Sequence, residues 1–342
     1  MAINDSLALG MLEATRLTRA GNLLEATAAI QRALGRKPGS TPGRTRVRPA
    51  VPAVETPKGR AGEFVAGSYT HQQGARPYKL YIPTGYAAGK ALPLVVMLHG
   101  CTQNPDDFAA GTRMNRLAEE RQCFVLYPAQ TRSANQSRCW NWFKRAHQRR
   151  DKGEPAILAG MTREIVQRHG IDARQVFVAG LSAGGAMAAV MGAAYPELYA
   201  AVGIHSGLPV GSAHDVPSAF AAMRGAPPAR AAGAAAGHVV PAIVFHGDQD
   251  ATVHPSNGAQ VASQCVDRDD KSIDVIVQRG QVPGGHAYTC SVPKDSDGRI
   301  VLEHWEVHGA GHAWFGGSPR GSYTDPNGPE AAREMMRFFG LS

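Results

Sequence analysis

Hydrophobic and polar positions follow one rhythm through most of the chain, in which short apolar runs alternate with segments of helical periodicity. Runs such as LVVML at 94–98 are nearly continuous, which is typical of strands buried on both faces of a parallel sheet. The predicted strands are 78–82, 94–98, 123–127, 175–179, 200–204, 242–245, 272–277 and 300–307. The predicted helices are 113–121, 155–168, 183–194, 257–265 and 329–339. This alternation predicts an α/β fold with one mostly parallel sheet between layers of helices.

The first part of the chain has a different pattern. Apolar residues recur at helical spacing from Leu7 to Leu17 and again from Leu23 to Leu34, which predicts a helical hairpin in residues 1–36. Residues 37–63 are rich in Pro and Arg, as in a solvated linker. We therefore expect the α/β domain to comprise residues 64–342. Within it, residues 211–237 are rich in Ala, Gly and Pro and are predicted to form a surface excursion.

Composition and charge restrict the class of protein. Of the 342 residues, 43% are hydrophobic and 19% charged, so the chain can bury a sizeable core. No run of 18 apolar residues occurs, and we expect no membrane-spanning helix. The net charge is +8, but residues 1–60 hold ten Lys and Arg against four Asp and Glu. The basicity therefore belongs to the N-terminal segment, and the nearly neutral remainder gives no reason to expect a nucleic-acid partner.

The strongest chemical signal is the pentapeptide Gly180-Leu181-Ser182-Ala183-Gly184, which has the form G-x-S-x-G. In a nucleophile elbow the serine occupies a strained turn between a strand and a helix, and the glycines make room for neighbouring backbone. The alternative is an ordinary glycine-rich turn, because the chain contains 39 glycines. The predicted strand before the motif and the predicted helix after it favour Ser182 as a nucleophile.

A serine nucleophile needs a base and a carboxylate that orients the base, and on this type of fold they follow in the order Ser, Asp, His. Asp248 and Asp250 both follow the predicted strand at 242–245. We favour Asp250, which lies deeper in the loop at the carboxyl end of the strand, where such folds place active-site groups. Asp248 lies close to the turn and suits a capping role.

Thirteen histidines compete for the role of the base. His312 is preferred because it lies in the small-residue loop GAGHAW, between the predicted strand at 300–307 and the last predicted helix. His308, at the end of that strand, is the nearest rival. His254 and His286 have no matching context.

An oxyanion hole needs two backbone N–H donors, one from the residue after the nucleophile and one from a loop after an early strand. Ala183 follows the serine, and Cys101 lies in the loop LHGCTQ after the predicted strand at 94–98. These two residues are the predicted donors. Gln103 in the same loop is a further candidate for contact with substrate.

The motifs LHGCTQ, CWNWF, GLSAGGAM, HGDQDATV and GAGHAW together resemble those of the esterase/polyhydroxybutyrate (PHB) depolymerase family, which is related to feruloyl and acetylxylan esterases. The resemblance covers about residues 64–340. It implies the α/β-hydrolase fold, a three-layer sandwich that carries a helical appendage here. It implies Ser182, Asp250 and His312 as the catalytic triad, with Cys101 and Ala183 as the oxyanion donors.

The motif CWNWF concentrates two of the four tryptophans, Trp140 and Trp142. At least one of them should pack in the core. The other interpretation is an apolar wall for the acyl or alcohol part of an ester, to which Trp314 beside His312 would contribute. We expect neither a metal nor a cofactor, because there is no Walker sequence, no HExxH and no GxGxxG after the first strand.

The five cysteines form no CxxC or metal-like cluster. Cys101 and Cys139 both belong to loops at the carboxyl edge of the sheet, so we expect them to lie close enough for a disulfide. Cys265–Cys290 is the plausible second pair, which leaves Cys123 as a buried free thiol. Such bonds favour an oxidising compartment. The N-terminus, in contrast, lacks the features of a secretory signal peptide and favours a cytoplasmic protein. The family resemblance keeps an extracellular location open.

Together these features predict a serine carboxylic-ester hydrolase. Short-chain hydroxyalkanoate esters, their oligomers or the polyester are the first expected substrates, and feruloyl or acetyl esters of carbohydrate the second. For the basic residues 1–60, a non-enzymatic alternative is docking to a granule surface or to a partner.

Overall fold

The computed structural model describes residues 62–341, apart from 88, 227–239, 267–273, 295–297 and 299. The predicted N-terminal hairpin and most of the predicted linker lie outside these residues. The strands of the main sheet are β1 (Glu63–His71), β2 (Gly74–Ile82), β3 (Leu94–Leu98), β4 (Phe124–Pro128), β5 (Val176–Leu181), β6 (Ala201–His205), β7 (Ala242–Gly247), β8 (Asp274–Gln281), β9 (Ala287–Lys294) and β10 (Leu302–Val307). A small second sheet pairs β11 (Trp314–Phe315) with β12 (Thr324–Asp325).

The main sheet has ten strands in the order β1-β2-β4-β3-β5-β6-β7-β10-β9-β8. Its six central strands, from β4 to β10, are all parallel. Antiparallel strands flank them on both sides. The side chains of β3 to β7 are buried throughout, as expected for strands that are covered on both faces. The predicted mostly parallel sheet is therefore confirmed.

Helices cover both faces of the sheet. They are α1 (Pro105–Thr112), α2 (Met114–Arg121), α3 (Gly153–His169), α4 (Ala183–Ala194), α5 (Val216–Met223), α6 (Ser256–Gln264) and α7 (Ala331–Phe338), with a short 3₁₀ helix at Arg145–Gln148. Alternate strand residues divide between two cores: Val96 and Val178 pack with α3 and α4, whereas Val95 and Phe177 pack with α1, α2 and α7. This two-sided packing makes the three-layer arrangement.

Several elements were not predicted. Strand β1 has a mostly exposed edge sequence, and β9 is only half buried, so neither shows the apolar run that identifies the central strands. The predicted surface excursion at 211–237 contains α5, whose N-cap residue Asp215 forms a capping box with Ser218. Within the described residues, no helix has the length and apolarity needed to cross a bilayer.

The predicted Cys265–Cys290 disulfide is wrong. Both residues are free cysteines, because Cys265 packs against the core on the α3–α4 side of the sheet and Cys290 belongs to the core on the other side. Cys123 is a buried free thiol, as predicted. Burial raises the pKa of each of these three thiols to about 12, so they stay protonated at neutral pH.

Candidate active site

Ser182 lies at the sharp turn between β5 and α4. Its backbone has φ 57° and ψ −118°, a strained conformation for a residue with a side chain. The flanking glycines are needed sterically. A Cβ on Gly184 would overlap the carbonyl oxygen of Leu98, and a Cβ on Gly180 would overlap the backbone of Gly184. The turn therefore has the geometry of a nucleophile elbow, formed by the motif that predicted it.

Asp250 and His312 meet at the carboxyl ends of β7 and β10. Asp250 Oδ2 accepts a 2.7 Å hydrogen bond from His312 Nδ1, and Asp250 Oδ1 accepts bonds from the N–H groups of Thr252 and Val253. Burial by itself raises the pKa of Asp250, but the hydrogen bonds from His246 and His312 outweigh it and leave that pKa well below its usual range. Because an ionised carboxylate only accepts, His312 donates from Nδ1, and in the neutral tautomer with this proton Nε2 is the acceptor.

The structure links Ser182 to the His312 loop through His205. The Ser182 N–H donates to the carbonyl oxygen of His205 at 2.9 Å, and His205 Nε2 accepts from the N–H of Phe315 at 3.1 Å. His205 is fully buried and stacks on Trp314. In the described part of the chain, the Ser182 hydroxyl itself forms no hydrogen bond. Among the described residues, the Asp250–His312 hydrogen bond is thus formed, and a Ser182–His312 hydrogen bond is not.

The loop after β3 lies against the nucleophile turn: a Cβ on Gly100 would stand 3.7 Å from the Cβ of Ser182. The Cys101 and Ala183 N–H groups donate to no other described residue, so both can serve a ligand oxygen. His99 fixes the peptide between Gly100 and Cys101. Its Nε2 accepts from the N–H of Gln130 at 3.1 Å, so Nδ1 carries the proton and donates to the Gly100 carbonyl at 2.7 Å.

A disulfide joins Cys101 to Cys139, as predicted, and ties this loop to the CWNWF segment. That segment is held in turn by the buried carboxylate of Glu154, which accepts from the backbone N–H and the side-chain amide of Asn141, each at 2.7 Å. Burial raises the pKa of Glu154, but hydrogen bonds from His147, Gln130 and Asn141 lower it below its usual range overall. A buried carboxylate with several hydrogen bonds therefore anchors the segment that is bonded to the predicted oxyanion donor Cys101.

Gln103 does not face a substrate site. Its side chain is buried, with Oε1 accepting from the Gly100 N–H at 2.9 Å and Nε2 donating to Asp107 Oδ2 and to the Ser322 carbonyl, each at 3.0 Å. All of its polar capacity is used inside the protein. The predicted substrate contact is therefore corrected to a structural role, in which Gln103 holds the loop 99–103, which carries the predicted oxyanion donor Cys101 and is called the oxyanion loop below, against the 318–323 loop.

The predicted tryptophan wall is also corrected. The exposed fractions of Trp140, Trp142 and Trp314 are 0%, 6% and 1%. Trp140 and Trp142 pack in the core on the α3–α4 side of the sheet, and Trp314 packs in the core on the opposite side. The Trp140 indole N–H donates to the carbonyl oxygen of His99, so this ring supports the oxyanion loop from beneath.

The residues that competed for the catalytic roles form hydrogen bonds with other partners. His308 Nδ1 lies 3.1 Å from Asp248 Oδ2, and Asp248 Oδ1 accepts from the Gly309 N–H. Asp248, Glu306 and His308 place potential metal-ligand atoms within 4.8 Å of one another. Since both Asp248 oxygens already accept hydrogen bonds, we assign no metal to them. His254 bonds to Ser256 and His286 to Asp325, so neither competes with His312.

Sequence reasoning missed His99, His205 and Glu154. For His99 and His205 the sequence does contain a signal, because each directly follows a predicted apolar strand and so lies at the carboxyl edge of the sheet. Glu154 gave no signal, since only the fold brings its helix beneath the CWNWF segment.

Comparison with known proteins shows the family to which the sequence is similar. The family model described as Esterase PHB depolymerase matches residues 76–282. Poly(3-hydroxyalkanoate) depolymerase C of Paucimonas lemoignei is 32% identical over 242 residues, which cover 68% of this chain and 57% of that protein. Poly(3-hydroxybutyrate) depolymerase of Ralstonia pickettii is 31% identical over 245 residues, covering 66% and 48%. The chain thus spans about half the length of these curated relatives.

Among solved structures, an acetyl xylan esterase from Aspergillus awamori is similar with a TM-score of 0.60 at 20% identity, covering 81% of this chain and 100% of that one. At this identity the similarity concerns the fold. It agrees with the three-layer sandwich described above.

Proposed function

The chain belongs to the esterase PHB depolymerase family, and from that membership we propose that it is a serine carboxylic-ester hydrolase. The observation that carries the proposal is the 2.7 Å hydrogen bond between Asp250 and His312, on loops that follow the strained Ser182 turn in the order Ser, Asp, His. Ionised Asp250 holds the imidazole in the tautomer whose Nε2 can accept a proton.

In the proposed reaction, Ser182 Oγ attacks the ester carbonyl carbon while His312 Nε2 takes the hydroxyl proton. The oxygen of the tetrahedral intermediate accepts hydrogen bonds from the Cys101 and Ala183 N–H groups. His312 then gives its proton to the leaving alkoxide, and the alcohol departs. A water molecule, deprotonated by His312, attacks the acyl-enzyme, and Ser182 regains its proton as the acid is released.

For the substrate, we propose short-chain hydroxyalkanoate esters and their oligomers. Two relatives of the chain, a poly(3-hydroxyalkanoate) depolymerase and a poly(3-hydroxybutyrate) depolymerase, support these esters as the first candidates. Feruloyl or acetyl esters of carbohydrate are the second candidate, from the motif resemblance. Purified protein should be assayed on p-nitrophenyl butyrate, a 3-hydroxybutyrate oligomer, methyl ferulate and acetylated xylan. Faster turnover of the last two than of the oligomer would reverse the order, and no hydrolysis of any ester would refute the proposal.

For residues 1–60 we keep the proposal of surface docking, which rests on ten Lys and Arg against four Asp and Glu. A truncated protein beginning at Ala61 should keep kcat/KM on p-nitrophenyl butyrate within about twofold and bind less to anionic or polyester particles at low salt. Co-sedimentation of full-length and truncated protein with such particles measures the difference. Equal binding by both forms would contradict docking through this segment.

A further inference from the structure

Tyr323 bridges the two loops that carry the proposed catalytic groups. Its hydroxyl lies 3.3 Å from the Thr102 hydroxyl, next to the oxyanion donor Cys101. Its carbonyl oxygen accepts from the Trp314 N–H at 2.7 Å, two residues beyond His312. The residue is 41% exposed, unlike the buried tryptophans. An accessible aromatic ring therefore stands at the edge of the proposed active site, and it is not one of the three tryptophans that were predicted there.

The backbone that carries this ring is held in place. Both Tyr323 and Thr102 have positive φ, 52° and 66°, which is costly for residues with a Cβ. The strain persists because the adjacent Ser322 is bonded on both sides: its N–H donates to Asp107 Oδ1 at 2.8 Å, and its carbonyl accepts from Gln103 Nε2 at 3.0 Å. Strain maintained in this way is characteristic of functional positions, since it pre-organises the side chain.

The Tyr323 hydroxyl can turn from its present partner to a ligand. Thr102 donates its own proton to the Cys101 carbonyl at 2.6 Å, so in its contact with Tyr323 it can only accept. Tyr323 is therefore the donor, through a long and exposed hydrogen bond that a carbonyl oxygen of a ligand can replace at little cost. The ring beside the hydroxyl supplies an apolar surface.

We propose that Tyr323 forms a subsite for the ester unit adjacent to the one being cleaved. Its ring packs on the methyl and methylene groups of that unit, and its hydroxyl donates to that unit's carbonyl oxygen. The inference rests on the proposed esterase function and specifies its substrate, an oligomer with a second ester carbonyl. An ester with one carbonyl, such as p-nitrophenyl butyrate, cannot use this hydrogen bond.

The test compares kcat/KM for the methyl ester of a 3-hydroxybutyrate trimer with kcat/KM for p-nitrophenyl butyrate. Tyr323→Phe should lower the ratio of the two values about fivefold, as expected for the loss of one hydrogen bond. Tyr323→Ala should lower it about thirtyfold, because the ring contact is also lost. The loss should fall mainly on KM for the trimer. Tyr69→Phe, on strand β1, is the matched control and should leave the ratio unchanged.

Equal losses on both esters in Tyr323→Phe and Tyr323→Ala would overturn the subsite, because a ring that only supports the loops does not distinguish the substrates. Wild-type hydrolysis of p-nitrophenyl butyrate without hydrolysis of the trimer would also overturn it, yet leave the esterase proposal standing. If wild-type protein cleaves neither, the esterase proposal fails, and the subsite with it.

Discussion

His308 Nδ1 lies 3.1 Å from Asp248 Oδ2, so the histidine and the carboxylate that competed for the catalytic roles are paired with each other. They lie on the same two loops as Asp250 and His312. The two pairs differ in burial: the Asp250 side chain is inaccessible, whereas that of Asp248 is 27% exposed. The interaction of Asp250 with His312 is therefore the stronger one, because solvent weakens the electrostatic attraction between Asp248 and His308.

Asp250→Asn and Asp248→Asn should therefore separate the two pairs. Asp250→Asn removes the acceptor that holds the His312 tautomer, and we expect kcat to fall about 10³–10⁴-fold. Asp248→Asn alters a partly exposed turn, and kcat should stay within about tenfold of wild type. Steady-state kinetics of both variants on p-nitrophenyl butyrate measure the ranking. The reverse order would assign catalysis to the Asp248–His308 pair.

Ser182→Ala should abolish turnover and leave the fold intact. The substitution removes one oxygen from a half-buried side chain, while the loss of a nucleophile costs about 10⁴–10⁶-fold in kcat. Burst kinetics with p-nitrophenyl butyrate test the role directly, since the variant should release no first equivalent of p-nitrophenol. Thermal melting provides the control for folding. Activity within tenfold of wild type would refute the mechanism.

The parts of this molecule that the sequence predicts are those encoded locally. The elbow at Ser182 is a strand, a strained turn and a helix in succession, and its glycines are required by contacts with nearby backbone. The central strands are continuous apolar runs because both faces are covered. The exposed edge strand β1 lacks such a run and was missed.

The predictions that were wrong or missing concern features that depend on long-range packing. CWNWF gives no indication that Trp140 lies beneath the oxyanion loop, because that position follows from the Cys101–Cys139 bond and from Glu154 on α3. The proposed pairing of Cys265 with Cys290 failed because spacing does not reveal on which face of a sheet a cysteine lies. Tyr323 lies in an irregular loop whose neighbours come from residues more than 200 positions earlier.

The Cys101–Cys139 disulfide should stabilise both the fold and the oxyanion loop. The bridge closes a loop with a sequence separation of 38 residues, for which chain entropy gives about 4 kcal/mol. Denatured, unreduced protein should show three free thiols. Cys139→Ser should lower Tm and reduce kcat more than KM rises, since the bridge positions an oxyanion donor. Cys265→Ser, a free cysteine, is the control. Five thiols before reduction would show that the bridge does not form.

Buried His99 makes the free energy of unfolding depend on pH between its folded and unfolded pKa values. Burial lowers the pKa of His99 to about 4, against 6.5 for an unperturbed histidine. Between these values the unfolded chain binds a proton that the folded protein does not, so the free energy of unfolding falls as the pH falls from about 6.5 towards 4. For this one group the loss at pH 5 is about 2 kcal/mol.

His99→Asn should remove that part of the acid sensitivity, so that the difference between urea-unfolding free energies at pH 7 and pH 5 becomes smaller than in wild type. Because His99 also orients the peptide that bears the Cys101 N–H, kcat should fall about tenfold or more.

His304→Asn is the matched control. Burial likewise lowers the pKa of His304 to about 4, but this residue pairs with Val244 and Ser291 within the sheet. It should therefore share the smaller pH dependence and keep kcat. An unchanged pH dependence in His99→Asn would mean that a different group binds the proton, and an equal loss of kcat in both variants would remove the link between His99 and the oxyanion donor.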